Sequence, residues 1–482
     1  MPDLRLVAYI LGLLLLLLGG AMLVPALVDA INGSRTWSVF LGSSALTLFV
    51  GGSFALSFRG AGAALDRRQA FILVTAAWII LPLFAAVPLV RGGIALSFTD
   101  AFFEAMSGLT TTGSTVITGL DGLPRGLLLW RAMLQWLGGV GIILMAMAIL
   151  PLLQVGGMQL FRLESSDASE KILPRTAKLA AWIGSIYLGL SVLCWLLLWS
   201  AGMPLFDAVA HTMTTIATAG FSTKDASIGH FDSAGVEAII TVFMVVGGLP
   251  FTLYLVAIRT GPGVLWRDAQ ARTFMTVVAV LILLTALWLH LDQGFSAGAA
   301  LRYGSFNIVS MLTGTGYAST NYGAWGDFAL TAILFVMLIG GCAGSTTCGV
   351  KIFRWQVMAA SLNAWTRRLL HPHGVFTPQF EHKPIPLNVT ESVMAYFFLL
   401  LLSLSVLSIA LAFTGLDYLS AVSGAVTALA NVGPGLGETI GPTGTFANLP
   451  TAAKWLLSFG MLLGRLDLFT VLVLFTPIFW RG

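Results

Sequence analysis

The segment FTDAFFEAMSGLTTTGST at residues 98–115 decides the fold. It is shorter than the roughly 20 apolar residues that a membrane span needs, yet it is too apolar for a solvated loop. A helix-length stretch is followed by a stop rich in threonine and glycine. Three further segments repeat the pattern, namely LFDAVAHTMTTIATAGFS (205–222), LRYGSFNIVSMLTGTGYA (301–318) and YLSAVSGAVTALANVGPG (418–435). Each predicts a re-entrant half-helix that ends in an extended loop.

These segments belong to a chain that is too apolar for a soluble fold. Of its 482 residues, 57% are hydrophobic and 10% are charged, whereas soluble domains carry about 25% charged residues. Ten stretches are predicted to cross the membrane by length and hydropathy. They are Leu6–Val28, Trp37–Phe58, Ala70–Val90, Gly126–Leu152, Ala177–Ala201, Val236–Ile258, Phe274–Leu291, Phe328–Ser361 (interrupted), Val393–Phe413 and Ala452–Phe479. The predicted fold class is an all-α polytopic membrane protein.

Basic residues orient the spans. Alternate connections hold Arg59, Arg67, Arg68, Arg162, Lys171, Arg175, Arg259, Arg267, Arg272, Arg367, Arg368 and Lys383. The positive-inside rule then places both termini in the cytoplasm. The basic residues form no stripe or basic helix, so no nucleic-acid partner is expected. His371, His373 and His382 share a cytoplasmic connection without a nearby cysteine, which favours a contact surface for a partner over a zinc site.

The opposite connections are acidic. They carry Asp100, Asp121, Asp225, Asp232, Asp292, Asp327 and Glu438. Such residues could form an acidic vestibule that raises the local concentration of cations. The alternative is that each is simply a solvated loop residue.

The four short segments align on Gly113, Gly220, Gly316 and Gly433, which recur about every 100 residues. This period predicts a two-span preface followed by four parallel repeats around a central pore. Each repeat consists of a span (M1), a half-helix with its loop (the P-loop) and a second span (M2). The preface is 1–60, and the repeats are 61–155, 156–262, 263–365 and 366–482.

Irregular backbone at membrane depth must be buried in protein or line a watery cavity. Four loops around one axis can offer a ring of carbonyl oxygens that replaces the hydration shell of an alkali cation. Glycine permits the backbone angles that this requires. The predicted ion-binding residues are Thr111, Thr112, Gly113, Thr218, Ala219, Gly220, Gly314, Thr315, Gly316, Asn431, Val432 and Gly433. The alternative is that these small residues only let helices pack closely.

A second irregular stretch, GGCAGSTTCGVK at 340–351, interrupts the span Phe328–Ser361. Runs of small residues hold a helix poorly, so an unwound segment is predicted below the loops, with a helix-packing face as the alternative. Arg465 lies within the last predicted span, where a charge is costly unless it is paired or hydrated. Asp467 falls on another helix face and is a poor partner for Arg465. Carbonyl groups of 341–349 are therefore the expected partners of Arg465. A cation in a conduction path would repel other cations, which suits a gate; the alternative is a purely structural arginine.

The strings DAFFEAMSGLTTTGST, TTIATAGFSTKD, TGTGYAST and ANVGPGLG resemble the four filter segments of the Trk/Ktr/HKT potassium transporters, and GGCAGSTTCGVK and GRLDLFT resemble two further family segments. The two-span preface favours the TrkH branch. The resemblance covers essentially the whole chain, although the second and fourth loops depart from the threonine pattern, so strict selectivity is not assumed.

The resemblance implies a potassium-conducting subunit of the bacterial inner membrane that forms a homodimer, with one pore in each protomer. It also implies a separate cytosolic, TrkA-type nucleotide-binding regulator and an intramembrane loop that blocks the pore. The loop residues carried over are Gly341, Ala343, Gly344, Ser345, Thr346, Thr347 and Gly349, with Arg465 as the gate cation. In the family, a serine at the first glycine goes with sodium permeation, so Gly113 favours potassium.

The leading hypothesis is a gated potassium-uptake pore driven by the membrane potential, with no bound cofactor and no enzymatic activity. A sodium- or proton-coupled secondary transporter is the alternative, since such folds also use broken helices. That mechanism usually needs ionisable residues within the membrane, and the chain offers few, namely Glu104, Arg465 and Asp467. A membrane-embedded enzyme lacks any acid–base or metal constellation.

Overall fold

Most apolar runs form long helices, because a helix satisfies its own backbone groups in lipid. The structure, a computed structural model, describes residues 3–60, 65–148, 176–381 and 383–481. Within these ranges, seven helices are long and apolar enough to cross a membrane. They are Arg5–Ile31, Trp37–Ser57, Arg67–Arg91, Arg125–Met145, Lys178–Ser200, Ala269–Leu291 and Leu387–Phe413. The predicted polytopic all-α fold is confirmed. Arg162, Lys171, Arg175, His382 and the end of the predicted span Gly126–Leu152 lie outside the described residues.

Two predicted spans are broken rather than continuous. Ala234–Gly247 and Phe251–Thr260 meet at 93°, and Thr451–Arg465 and Leu468–Phe475 meet at 113°. Gly247, Gly248 and Pro250 explain the first break, because glycine and proline support a helix poorly. The second break lies at Asp467, whose φ is 59°. Arg465 therefore lies at the end of a helix and not within an unbroken span.

The four predicted half-helices are present. They are Phe98–Leu109, Leu205–Ile216, Ala297–Leu312 and Tyr418–Ala430. Ser97, Ser296 and Asp417 precede three of them and accept hydrogen bonds from the first turn, as N-cap residues do. The third is the longest of the four, with 16 residues.

The remaining elements connect these helices. Within the long spans, Met22 separates Arg5–Ala21 from Leu23–Ile31, and Ala86 separates Arg67–Ala85 from Val87–Arg91. The other helices and their full bounds are Arg125–Ala148, Thr176–Ser200, Val264–Arg267, Asp327–Val336, Ile352–Leu370, Leu468–Leu472 and Pro477–Arg481. Short 3-10 turns lie at Leu120–Gly122, Ser227–Phe231, Tyr322–Trp325, Phe446–Asn448 and Val473–Phe475. Strands Gln379–Phe380 and Lys383–Pro384 pair antiparallel.

Two apolar cores hold the repeats together. One joins the preface mainly to the first and fourth repeats, and the other joins mainly the second and third. Within the preface, Gly12 and Gly51 face each other so closely that a Cβ on either would lie 2.8 or 2.9 Å from the other's carbonyl oxygen. Small residues thus bring two membrane helices into contact.

Asp29 fastens the preface to the first repeat. Its carboxylate is fully buried and accepts hydrogen bonds from the Gly126 amide at 2.6 Å and from the Thr36 hydroxyl at 2.5 Å. The Gly126 amide lies in the first turn of Arg125–Ala148, where backbone N–H groups have no partner within the helix. The buried acid therefore acts as a cap supplied by another helix.

We expect Asp29→Ala to lower the free energy of unfolding by about 2 kcal/mol, because it leaves a buried amide unsatisfied and removes a charged acceptor. Thermal denaturation of the purified protein in detergent measures this change. Asp292→Ala, at an exposed site, is the matched control. Equal melting temperatures for the two variants would contradict the assignment.

Candidate functional site

Each half-helix ends in the same backbone motif. The amides of Thr112, Ala219, Thr315 and Val432 donate to carbonyl groups five residues earlier, at 2.8, 2.9, 2.9 and 3.1 Å. In each case the donor amide belongs to the residue that follows one in the left-handed conformation, which is the hydrogen bond of a Schellman C-cap. The left-handed residues are Thr111, Thr218, Gly314 and Asn431, with φ of 53°, 47°, 68° and 50°. Three of the four are not glycine.

Two residues beyond each left-handed position, the four glycines adopt positive φ again, at 91°, 79°, 80° and 114° for Gly113, Gly220, Gly316 and Gly433. A Cβ on each would collide with the carbonyl oxygen of the next loop. Gly113 faces Ala219, Gly220 faces Thr315, Gly316 faces Val432, and Gly433 faces Thr112. Each loop thus contacts the next one along the chain, and the fourth contacts the first, so the loops form a closed circle. We call these four glycines and the residue before each the glycine ring.

The predicted ion-binding residues are therefore brought together, and their role in ion binding stays a prediction. Close approach explains the glycines, since any side chain would overlap a neighbouring backbone. Backbone oxygens and hydroxyl groups are ligands that hard cations prefer. Within the described residues, no group of three or more His, Cys, Asp or Glu side chains lies close enough to hold a metal ion.

Threonine hydroxyls brace two of the loops. Thr110 and Thr112 share a hydrogen bond of 2.7 Å, and Thr313 and Thr315 share one of 2.8 Å. Thr112 and Thr315 are among the predicted ion-binding residues, whereas Thr110 and Thr313 are not. The second loop has no such pair at the matching positions, where the sequence reads Ala217 and Ala219.

In three of the four loops, a buried polar residue nine positions before the ring glycine bonds to the segment that follows this glycine. Glu104 accepts from the amide of Val116 at 2.9 Å, His211 contacts the Ser222 hydroxyl at 2.9 Å, and Asn307 accepts from the Ser319 amide at 3.2 Å. The repeat alignment could have located these residues, because they share one position in each unit.

Arg131, on the helix Arg125–Ala148, ties the first two loops together. It forms a fully buried ion pair with Glu104 at 2.8 Å and donates to the Ser222 carbonyl at 2.9 Å. Its guanidinium also lies 4.2 Å from the centre of the Phe221 ring. Sequence reasoning named Glu104 but missed Arg131, although a lone arginine within an apolar span was the available signal.

A cavity of about 340 Å³ opens on one side of the glycine ring. Its lining includes all four ring glycines, together with Lys224 and Asp225. The cavity therefore gives a route from the surface to the ring.

Charges on the predicted acidic connections are partly balanced. Asp121 pairs with Lys224 at 3.2 Å, Asp100 with Lys454 at 2.5 Å, and Asp232 with Arg302 at 2.8 Å. Burial tends to raise the pKa of Asp121, but the hydrogen bond and charge of Lys224 outweigh it and hold that pKa below its usual value. Three of the seven acidic residues predicted to form a vestibule thus have basic partners.

Segment 341–349 is non-helical, as the sequence predicted. Its base is closed by bonds from the Gly340 amide to the Val350 carbonyl at 3.0 Å and from the Ile352 amide to the Gly341 carbonyl at 3.0 Å. Inside it, the Ser345 and Thr347 hydroxyls share a bond of 2.7 Å. The segment is therefore a compact loop with its own bonds.

This loop docks on the break in the second repeat. The Cys342 amide donates to the Gly248 carbonyl at 2.9 Å, the Thr346 amide to the Gly247 carbonyl at 3.2 Å, and the Phe251 amide to the Gly344 carbonyl at 3.0 Å. Each irregular stretch thus satisfies backbone groups of the other, as irregular backbone within a membrane requires. The sequence did not indicate this pairing.

The same loop lies against the left-handed residues of the half-helices. The Thr218 hydroxyl is 3.2 Å from the Thr346 hydroxyl, and the Thr111 hydroxyl is 3.6 Å from the Cys348 sulfur. A Cβ on Gly314 would lie 3.7 Å from the Cys348 amide nitrogen. Thr111 and Thr218 therefore contact segment 341–349 with their side chains.

Arg465 holds this loop from the fourth repeat. Its guanidinium donates to the Thr346 carbonyl at 3.4 Å, to the Cys348 sulfur at 2.6 Å and to the Gly138 carbonyl at 3.2 Å. The expected contact with a carbonyl of 341–349 is present, and Cys348 is a partner that the sequence did not suggest. The role of the segment and Arg465 as a gate stays a prediction.

Asp467 pairs with Arg354 and not with Arg465. The two Arg354–Asp467 bonds measure 2.7 and 2.8 Å, and the Arg354 guanidinium lies 3.7 Å from the centre of the Tyr396 ring. Arg354 is on the helix that follows segment 341–349. The ion pair therefore links that helix to the break at Asp467.

The fold and the site define a multi-pass membrane protein in which the loops that end four short half-helices meet in a ring. The family described as TrkH, cation transport protein, matches residues 37–481, and the chain belongs to this family. It is 44% identical to the Trk system potassium uptake protein TrkI of Halomonas elongata over 98% of this chain and 96% of that protein. It is 40% identical to the Trk system potassium uptake protein TrkH of Salmonella typhimurium over 99% of each chain. The crystal structure of the potassium transporter TrkH from Vibrio parahaemolyticus superposes with a TM-score of 0.92 at 37% identity and 100% coverage of both chains.

We expect Asp467→Ala to destabilise the protein by about 3 kcal/mol, because the buried Arg354 loses its carboxylate partner. Asp232→Ala, which removes an 81% exposed carboxylate from Arg302, should cost under about 1 kcal/mol. Thermal denaturation in detergent compares the two variants. A similar loss in both would show that the Arg354 pair adds no more than a surface pair.

Proposed function

We propose that the chain is a potassium-uptake subunit, in which potassium passes through the glycine ring down its electrochemical gradient. The membrane potential supplies about 2.3 kcal/mol per unit charge for each 100 mV. A pore of this kind needs no catalytic groups and no cofactor, and we propose that the chain is not an enzyme. The names of the Halomonas elongata and Salmonella typhimurium relatives support potassium as the substrate.

The observation that carries the proposal is the order of the parts. A cavity leads to the ring. In the ring, each glycine lies against a backbone carbonyl oxygen of the neighbouring loop. Segment 341–349, which Arg465 contacts, packs against the ends of the half-helices. Because a fixed positive charge beside a conduction path repels cations, this order favours a channel-like filter with a gate beneath it.

A sodium- or proton-coupled transporter is the second candidate. Two of the ionisable residues that it could use within the membrane, Glu104 and Asp467, are held in ion pairs with Arg131 and Arg354. Protonation of a carboxylate in a buried ion pair is costly, because it leaves the basic partner as an unpaired buried charge. This pairing weighs against proton coupling through either carboxylate.

We also propose an inner-membrane location with both termini in the cytoplasm, as the basic connections indicate. A homodimer with one pore in each protomer and a cytosolic nucleotide-binding regulator are further proposals, and they rest on the family resemblance. His371 and His373, with the strands Gln379–Phe380 and Lys383–Pro384, lie in a connection that would face this regulator.

Purified protein in liposomes tests the proposal. With the cytosolic partner present, a current that is independent of pH and reverses at the potassium equilibrium potential is expected for the pore. A reversal potential that follows the proton or sodium gradient would support the coupled transporter instead. The absence of potassium and rubidium uptake under these conditions would overturn the function.

Gly113→Ser should increase sodium permeation relative to potassium. The added Cβ would collide with the Ala219 carbonyl and come within 3.7 Å of the Gly433 Cα, so the ring must change shape and gains a hydroxyl. Reversal potentials in mixed sodium and potassium solutions measure the ratio. Gly235→Ser is the control, because a Cβ there would meet only the Ser233 hydroxyl at 3.9 Å. An unchanged ratio in Gly113→Ser would count against the ring as the filter.

Arg465→Ala should raise the resting flux, since the loop loses its cation and two hydrogen bonds from the guanidinium, and the Gly138 carbonyl loses a third. Rubidium uptake into liposomes without the regulator is the measurement. Arg367→Ala, at an exposed position of the helix Ile352–Leu370, is the control. Equal or lower flux in Arg465→Ala would assign Arg465 a structural role only.

A further inference from the structure

Gln135 makes a contact with the glycine ring that no other repeat reproduces among the described residues. It lies one turn after Arg131 on the helix Arg125–Ala148, and its side chain is fully buried. Its amide nitrogen donates to the Ala219 carbonyl at 2.6 Å, and its amide oxygen accepts from the Phe221 amide at 2.9 Å. The two bonds therefore reach the residues on either side of Gly220.

The Ala219 carbonyl is one of four equivalent groups in the ring. Its counterparts belong to Thr112, Thr315 and Val432, and each of the four faces the glycine of a neighbouring loop. Within the part of the chain that the structure describes, the Ala219 oxygen accepts a hydrogen bond from a side chain, whereas the other three oxygens accept none from the protein. The Ala219 carbonyl thus differs from its three counterparts in its electrostatics.

A bound N–H group changes what this oxygen can offer to a cation. A carbonyl oxygen has two lone pairs, and the Gln135 amide occupies one of them while its positive hydrogen offsets part of the negative charge. A cation at this level would compete with that hydrogen. The oxygens of Thr112, Thr315 and Val432 face no such competition within the described residues.

The surroundings leave Gln135 little freedom to turn away. Arg131, one turn earlier, is fixed by Glu104 and by the Ser222 carbonyl of the same loop. A buried amide that gives up its partners loses the full value of those bonds. Turning Gln135 away from Ala219 would therefore cost both of its hydrogen bonds to this loop.

We propose that Gln135 is a positioning residue that withholds the Ala219 carbonyl from the permeating ion, so that three free oxygens bind the cation at this level of the ring and not four. This inference rests on the proposed function. Its consequence is weaker ion binding, which favours release, because conduction requires an ion to leave its site as readily as it enters.

Gln135→Met tests the inference, because methionine fills a similar volume but cannot donate a hydrogen bond. Freeing the Ala219 oxygen should lower the rubidium concentration that half-saturates rubidium uptake by about threefold to tenfold, the equivalent of one net hydrogen bond. A purely structural role would lower the maximal rate and leave this concentration unchanged. Gln356→Met is the matched control, because Gln356 donates to the Ala269 carbonyl at 3.1 Å on a different helix.

An unchanged or increased half-saturating concentration in Gln135→Met would overturn the inference. Should the variant fail to fold, anomalous diffraction from rubidium bound to the wild-type protein decides the matter. Rubidium displaced from the Ala219 oxygen towards the Thr112, Thr315 and Val432 oxygens is the expected result, and equal distances to all four would overturn it. A wild-type ring that carries no rubidium would count against the proposed function, and the inference that rests on it would fall with it.

Discussion

The structure depends on the backbone turning left-handed twice within three residues at the end of each half-helix. The first turn closes a Schellman cap, and the second places a glycine against a carbonyl of the neighbouring loop. Thr111, Thr218 and Asn431 adopt the first of these conformations without being glycine, at a cost of order 1–3 kcal/mol each. Such strain persists only where many surrounding contacts fix the conformation, and here the hydrogen bonds of the cap, the neighbouring loop and segment 341–349 supply them.

The need to satisfy backbone groups explains the breaks around this ring. The non-helical segment 341–349 and the break at Gly247–Gly248 bond to each other, so neither exposes unpaired amides to lipid. Buried charge follows the same rule. Glu104 with Arg131 and Arg354 with Asp467 are paired, whereas Arg465 is held by two carbonyl groups and a thiol, with no carboxylate partner among the described residues. That difference leaves a locally uncompensated cation at the loop.

Sequence reasoning reached the ring because its signal is repeated four times. Hydropathy located the spans, and the recurrence of one glycine aligned the loops. The same reasoning placed an unwound segment at 341–349 and gave Arg465 a partner there. It treated Val236–Ile258 and Ala452–Phe479 as unbroken, since the glycines within them are equally compatible with close helix packing in a membrane. Arg131 and Gln135 were missed, because a polar residue within an apolar span does not reveal which distant backbone group it will meet.

The sequence by itself therefore determined the class of fold, the number of repeats and the residues of the ring, because periodic hydropathy and glycine carry local conformational information. The tertiary structure alone decided which irregular stretch docks on which, that Asp467 belongs to Arg354 and Arg465 to Cys348 and Thr346, and that the Ala219 carbonyl is bound by Gln135. These partners lie 84 to 119 residues apart in the chain. Their pairing follows from the closure of the four loops into a ring, which no local pattern encodes.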